Sequence, residues 1–124
     1  MFYTAFAQTA PGNHVTARVT IPKHTKRQAV IVTASGSSRY IGGGGVNAGI
    51  TLTIEASNTN ANISDDSFEG ESSLMVYRAN CAHTFVVDPD FEAWVTAAVA
   101  PLGAGGAQNQ DSEVFLSVVA IPAD

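Results

Sequence analysis

The residue types that could carry out chemistry in this chain are three histidines, one cysteine, two groups of carboxylates and a run of glycines. His14, His24 and His83 show no pair at the helical or strand spacing that would place two imidazoles on one metal. Cys81 lies shortly before His83, yet no family signature surrounds it and no Gly-x-Ser-x-Gly nucleophile elbow occurs. The sequence therefore predicts no structural metal and no enzymatic activity, with Cys81 a small buried side chain near a strand end.

The carboxylates and the glycines are equally weak as ligand-binding motifs. The carboxylates form two clusters, which are Asp65, Asp66, Glu69 and Glu71, and Asp88, Asp90 and Glu92. Oxygen-rich loops can bind calcium, but neither cluster has the EF-hand loop with its central glycine, so we interpret both as solvated acidic loops. No Lys-Ser or Lys-Thr follows Gly42–Gly45, so this run is interpreted as a turning loop that binds no phosphate. No cofactor is expected.

Aromatic residues offer a different kind of candidate, a contact with a sugar ring. Trp94, Tyr40 and Tyr77 could each stack on a sugar, and the Asn-rich loops could donate hydrogen bonds. Trp94 lies in an apolar segment, which favours a core position over an exposed platform. Tyr40, next to Arg39 at a loop edge, is the better candidate. The predicted ligand-contact residues are thus Arg39, Tyr40 and Trp94.

The elements that must position these residues are predicted to be β-strands. Apolar and polar residues alternate with a period of two from Val15 to Ile21, and again from Ile50 to Glu55. Further β-rich runs cover residues 2–7, 29–35, 74–78, 84–87 and 114–121. Turn-forming clusters separate them, at residues 11–13, 35–38, 42–45, 58–62, 88–90 and 103–106. About eight short strands with turns between them are typical of β-sandwiches and barrels.

The segment from Phe91 to Val99 fits two patterns. Phe91, Trp94, Val95, Ala98 and Val99 form a helical stripe, and the alanine content supports a helix. The segment also alternates as a strand, it is short for a helix, and its neighbours are strands. We therefore predict a strand that ends at Pro101, with a helix as the alternative.

Composition limits the fold and the partners. The 124 residues are 45% hydrophobic and 14% charged, which predicts one folded domain over residues 1–124. The net charge of -5 opposes binding to nucleic acid or to anionic lipid. A single cysteine forms no internal disulfide, and no apolar run approaches the length of about 20 residues that spans a membrane. The start of the chain has no secretory signal, which predicts synthesis in a cytosol.

The fold class that follows is all-β, a jelly-roll-like sandwich of two antiparallel sheets with about eight strands. Strands that alternate apolar and polar residues have one solvent-exposed face, and they need a second sheet to cover the apolar face. The predicted core comprises Val19, Ile21, Val30, Val32, Leu52, Ile54, Val76, Phe85, Val87, Phe115 and Val118. Residues 29–35 and 114–121 are apolar at nearly every position, which predicts burial on both faces and hence a homo-oligomer.

The order of elements from Thr16 onward also resembles a known family. A strand ends at Ile21-Pro22, and a basic turn, an apolar strand, a Gly-rich loop and an amphipathic strand follow. The chain closes on a strand of the Leu-Ser-Val type that is followed by Pro122. Over about the last 110 residues this resembles the tumour-necrosis-factor and complement-type jelly roll found in bacteriophage tail-fibre heads and capsid decoration proteins.

The resemblance implies a non-enzymatic structural protein of a virion, most simply a small capsid decoration or surface protein. It would be a homotrimer that is made in the host cytoplasm and contacts other capsid or tail proteins. Residues 1–10 would serve as a pairing strand or arm that adds to a neighbour's sheet. The alternative is a carbohydrate-binding lectin or a tail-fibre receptor-binding head that contacts a cell-surface glycan.

Overall fold

The computed structural model describes residues 3–8, 14–40, 46–57, 62–72, 75–102 and 109–123. These residues form eight strands: β1 Tyr3–Gln8, β2 Val15–Ile21, β3 Arg27–Tyr40, β4 Val46–Ala56, β5 Asn62–Ser72, β6 Met75–Val87, β7 Ala93–Leu102 and β8 Asn109–Ala123. Within the same ranges there is no helix long and apolar enough to cross a membrane.

The strands form two four-stranded sheets in which every pairing is antiparallel. Sheet I has the order β1-β8-β3-β6, and sheet II has the order β2-β7-β4-β5. Most connections therefore cross from one sheet to the other, which is the connectivity of an eight-stranded jelly roll. The predicted fold class is confirmed.

The core lies between the two sheets. Successive side chains of a strand point to opposite faces, so alternate positions of each strand enter the interior. In β2 the alternation is regular, with every second residue from Val15 to Ile21 buried. The predicted core residues that are buried are Val19, Ile21, Val30, Val32, Leu52, Ile54, Val87 and Val118. Phe85 is partly buried and packs against this core, and the side chain of Val76 lies outside the described residues.

The prediction that Phe115 belongs to the core is wrong. Phe115 lies on the outer face of sheet I with 36% of its surface exposed, whereas its neighbours Val114 and Leu116 are fully buried. β8 is apolar at both odd and even positions, so its own pattern does not determine which set faces inward. The pairing of β8 with β1 and β3 determines which set faces inward, because a shift of one residue would turn every side chain of β8 to the opposite face.

Several predicted element boundaries are also wrong. The turn predicted at residues 35–38 is the continuation of β3, which pairs with β6 and β8 through this region. The two short strands predicted at residues 74–78 and 84–87 are parts of the single strand β6, and Cys81 therefore lies in mid-strand. Residues 65–71, predicted as an acidic loop, belong to β5. Long-range pairing overrides the local turn propensity of Ser, Asp and Gly in these segments.

The segment that fitted both helix and strand is the strand β7, as predicted. Ala93, Val95, Ala97 and Val99 are buried, so the strand alternation defines the inner face. Pro101 does not end the strand, because β7 continues to Leu102 and Pro101 is paired with Ile50. Proline is compatible with this position near the strand end, where few ladder hydrogen bonds remain.

A bulge interrupts the pairing of β3 with β8 at one end of sheet I. The register shifts between Ser37 and Arg39, and Asp111 takes a left-handed backbone conformation with a φ of 54°. Next to the bulge, the buried Ser112 hydroxyl donates a hydrogen bond to the Ser38 hydroxyl oxygen at 2.8 Å. The extra residue lets Asp111 accept a hydrogen bond from Arg39 at 2.6 Å.

Candidate functional site

The structure does not bring the three predicted ligand-contact residues together. Arg39 and Tyr40 are at the end of β3 in sheet I, and Trp94 is at the start of β7 in sheet II. Arg39 is engaged by Asp111, in an ion pair whose two side chains are 48% and 54% exposed. The side chain of Tyr40 lies outside the described residues. Arg39 and Trp94 therefore do not share one site, and a sugar contact at Tyr40 stays a prediction.

Trp94 lies on the outer face of sheet II and is half-buried there, so its predicted core position is wrong. The Arg18 guanidinium carbon lies 4.8 Å from the centroid of the Trp94 ring. The backbone of Trp94 is held by Ser57, whose hydroxyl oxygen accepts a hydrogen bond from the Trp94 N–H at 2.9 Å. A cation stacked on the ring shields it from water, and occupies the face that a sugar would use.

Replacing Arg18 with alanine is expected to expose the Trp94 ring and to lower the free energy of unfolding by about 0.5–1 kcal/mol. Trp94 is the only tryptophan, so its fluorescence reports this one site. Acrylamide quenching should increase and the emission maximum should shift to longer wavelength. Arg78→Ala on sheet I is the matched control and should leave both signals unchanged. Equal quenching in the two variants would contradict the stacked arrangement.

The residues considered for metal or nucleophilic chemistry are also separated. His14 is exposed and His24 lies in the β2–β3 turn, where its Nδ1 accepts a hydrogen bond from the Lys26 N–H at 2.9 Å. His83 is half-buried on β6, with its ring centroid 5.9 Å from that of Phe85. Its buried Nε2 has no hydrogen-bond partner within the part of the chain that the structure describes. Among those same residues, no group of three or more His, Cys, Asp or Glu side chains could hold a metal ion.

Two further candidates lie partly or wholly outside the described residues. Gly42–Gly45 is not described, nor are residues 58–61 and 103–108 of the loops considered for sugar contacts. For the acidic cluster at residues 65–71, the backbone is part of β5 but the side chains are not described. Asp88, Asp90 and Glu92 are exposed around the β6–β7 turn, where Asp90 has a φ of 64° and its N–H donates to the His24 carbonyl oxygen at 2.7 Å.

The most distinctive surface is the outer face of sheet I. Six large apolar side chains are exposed among the described residues, and five of them lie on this face: Phe6, Ile31, Val86, Phe115 and Ile121. The sixth, Phe91, lies in the turn before β7. The sequence signal for this face was the apolar character of residues 29–35 and 114–121 at both odd and even positions. Half of these residues form the core, and the other half cover the outer face.

Among the described residues, the centre of this face has no ionisable side chain. The outward-facing positions in the cross-strand rows from Ala29 to Ser35 are Val86, Ala29 and Ile121, then Thr84, Ile31, Val119 and Thr4, then Ala82, Thr33, Ser117 and Phe6, then Asn80, Ser35, Phe115 and Gln8. Charged residues begin in the flanking rows, with Arg78 and Glu113 at one end and Arg27 at the other. A centre that is depleted of charged residues inside a charged rim is the usual anatomy of a protein interface.

A hollow of about 450 Å³ lies within this face. On β3 it is lined by Thr33, Ala34 and Ser35, and on β6 by Asn80, Cys81 and Ala82. Phe115 and Ser117 of β8 complete the lining. The outward side chains that line the hollow are mostly short, and Phe115 is the only large one among them.

Comparisons with known proteins identify no family. No family model matches the chain, and no curated protein matches it. Among solved structures, the chain is similar to the tripod from the baseplate of bacteriophage Tuc2009, with 12% identity over 94% of this chain and a TM-score of 0.49. It is also similar to the mosquito-larvicidal Cry4Aa toxin from Bacillus thuringiensis, with 9% identity over 88% of this chain and a TM-score of 0.41.

A third similar structure is that of infectious bursal disease virus, Gx strain, with 12% identity, 100% of this chain covered and a TM-score of 0.39. The chain spans 62%, 18% and 32% of the lengths of these three proteins, which is less than two thirds in each case. All three TM-scores are below 0.5, so the similarities carry no argument about what this chain does. The class of protein that the structure defines is an eight-stranded jelly-roll sandwich.

Proposed function

We propose that this chain is a non-enzymatic structural subunit that assembles through the outer face of sheet I, and that the assembly is part of a bacteriophage virion. The observation that carries the proposal is the centre of this face, which exposes five large apolar side chains and has no charged side chain among the described residues. The largest contiguous apolar patch on a soluble monomer is about 300–600 Å² and is often functional. From the strand spacing and rise, the rows from Ala29 to Ser35 cover a projected area of about 400 Å², which is within that range.

The finer part of the proposal is a homotrimer that decorates the capsid surface. It rests on the sequence resemblance to trimeric-type jelly rolls of virion proteins. Eight-stranded jelly rolls build viral capsid domains but also lectins, so the fold alone does not decide between these functions. The lectin alternative is less favoured, because Arg39 and Trp94 lie in different sheets and Arg18 covers the Trp94 ring.

Light scattering and sedimentation with purified phage capsids test this proposal. We expect a solution mass three times that of the chain at micromolar concentration, and saturable retention on capsids. Ile31→Asp places a charge at the centre of the face and should abolish both, while circular dichroism stays unchanged. Thr53→Asp, on the outer face of sheet II, is the matched control and should retain both.

Two results would contradict the proposal. One is a monomer that no capsid retains. The other is micromolar binding to a single glycan that Trp94→Ala abolishes without unfolding, which would identify a lectin.

Deletion of residues 1–8 does not serve as a test of a pairing arm, because β1 completes sheet I and its residues Tyr3 and Ala5 pack against the core.

A further inference from the structure

An aromatic ridge stands on one half of the outer face of sheet I. It consists of Phe6 on β1 and Phe115 on β8, whose ring centroids lie 5.8 Å apart at an interplanar angle of 38°. Phe6 is 62% exposed, the largest exposed fraction among the apolar side chains of this face. An exposed pair of rings on an edge strand and its neighbour offers a large apolar contact area at low conformational cost.

The hollow lies on the other half of the same face, mainly over β3 and β6. Its outward-facing lining from these strands is Thr33, Ser35, Ala82 and Asn80, of which only Asn80 is longer than threonine. At about 450 Å³ it has ample room for a phenyl ring, since an enclosed cavity of about 150 Å³ already accepts benzene. Ridge and hollow share the same cross-strand rows, because Phe6 is paired with Ser117, Ser117 with Thr33 and Thr33 with Ala82.

Phe115 lines one edge of the hollow, but Phe6 does not reach the hollow of its own chain. Three strand spacings separate Phe6 from Ala82, which is a distance of about 14 Å across the sheet. Side chains stand roughly perpendicular to a sheet, so Phe6 projects away from the face rather than along it. A second molecule must therefore supply the ring that enters the hollow.

We infer that the aromatic ridge of one copy of this chain fills the hollow of a second copy. The inference rests on the proposed function, and it identifies the partner and the contact through which the subunits assemble. Ridge and hollow adjoin on one face and share Phe115, so one half of the face is complementary to the other. In a closed ring of three copies, each copy inserts its ridge into the next and receives one from the previous copy.

Charge and the use of the whole face favour a second copy as the occupant. Copies that each carry a net charge of -5 repel least at a contact that contains no ionisable groups, and the described residues of the rows from Ala29 to Ser35 include none. With the flanking polar rows, the face has a projected area of about 600 Å², and each of the two contacts that a copy makes in a ring uses about half of it. A standard interface buries about 800 Å² of accessible surface on each partner, so each contact is small and its affinity depends on the ring that enters the hollow.

Four tryptophan and alanine variants of the full chain test the contact by sedimentation equilibrium. Phe6→Ala removes the exposed ring, and Thr16→Ala on the outer face of sheet II is its control. Ala82→Trp fills the hollow with the chain's own side chain, and Ala98→Trp on the outer face of sheet II is its control. All four side chains point outward, and circular dichroism with thermal unfolding verifies the fold of each variant.

We expect Phe6→Ala and Ala82→Trp to weaken association by about 30-fold or more, and the two controls to change it by less than about threefold. The result for Ala82→Trp is specific, because adding an apolar side chain would strengthen a non-specific hydrophobic contact. An assembled chain that is insensitive to both variants overturns the inference while the proposed function stands. A chain that is monomeric at 100 µM also overturns it, and retention on capsids then decides separately whether the proposed function survives.

Discussion

Replacing Leu52 with alanine is expected to lower the free energy of unfolding by about 2–5 kcal/mol. Leu52 is fully buried at the centre of β4, and its cross-strand partner on β7 is Val99. Truncation removes apolar contact and leaves a cavity that two hydrogen-bonded sheets cannot close, because the strand backbones are held by their pairing. Domains of this kind have a total stability of about 5–15 kcal/mol, so the loss is a large part of it.

Urea unfolding followed by Trp94 fluorescence measures this effect. Thr53→Ala is the matched control, since Thr53 is the next residue of β4 and points outward, and it should change the free energy of unfolding by less than about 1 kcal/mol. All variants must be compared at one protein concentration, because association stabilises the folded chain. A loss below about 1 kcal/mol for Leu52→Ala would show that the core is not centred where β4 and β7 meet.

Gly36→Ala is expected to lower the free energy of unfolding by about 1–3 kcal/mol. Glycine within a strand is usually the less stable choice, and alanine at a compatible position gains about 0.4–1 kcal/mol. Gly36 faces inward on β3, however, and a Cβ atom there would collide with Cγ2 of Val99 and lie 3.3 Å from Cδ1 of Leu52. Val99 is buried and β-branched, so its methyl groups cannot rotate away and the steric cost exceeds the gain in backbone entropy.

A double-mutant cycle with Val99→Ala separates this collision from other effects of the substitution. Removing the Val99 methyl groups makes space, so Gly36→Ala should cost less in the Val99→Ala background, with a coupling energy of about 0.5–3 kcal/mol. Ser37→Ala, at the adjacent outward position, is the control and should be close to neutral. An unchanged or increased stability for Gly36→Ala would mean that the two sheets are further apart at this point than the structure shows.

Much of the architecture follows from local sequence pattern. The alternation from Val15 to Ile21 and from Ile50 to Ile54 predicted strands whose inner residues are those now seen in the core. Eight of the eleven predicted core residues are buried, which is enough to define two facing sheets. These predictions succeeded because an alternating strand with one polar face has only one way to bury its apolar side chains.

The predicted ligand-contact residues show what local sequence pattern does not predict. Arg39 and Trp94 were selected for their chemistry, but nothing in their spacing related β3 to β7. Strand pairing placed them in different sheets and gave each a local partner, Asp111 for Arg39 and Arg18 for Trp94. Each partner is far along the chain from the residue that it contacts, so no local sequence pattern indicated either contact.

The sequence by itself determined that the chain is acidic and all-β, with more apolar strand positions than one core requires. Tertiary structure alone decided that Phe115 faces outward, that residues 62–72 form a strand, and that Phe6 and Phe115 pair beside a hollow. Each of these outcomes depends on register between strands that are far apart in the chain. Register is set by which apolar face the paired strands bury together, and a strand that is apolar on both faces does not contain that information.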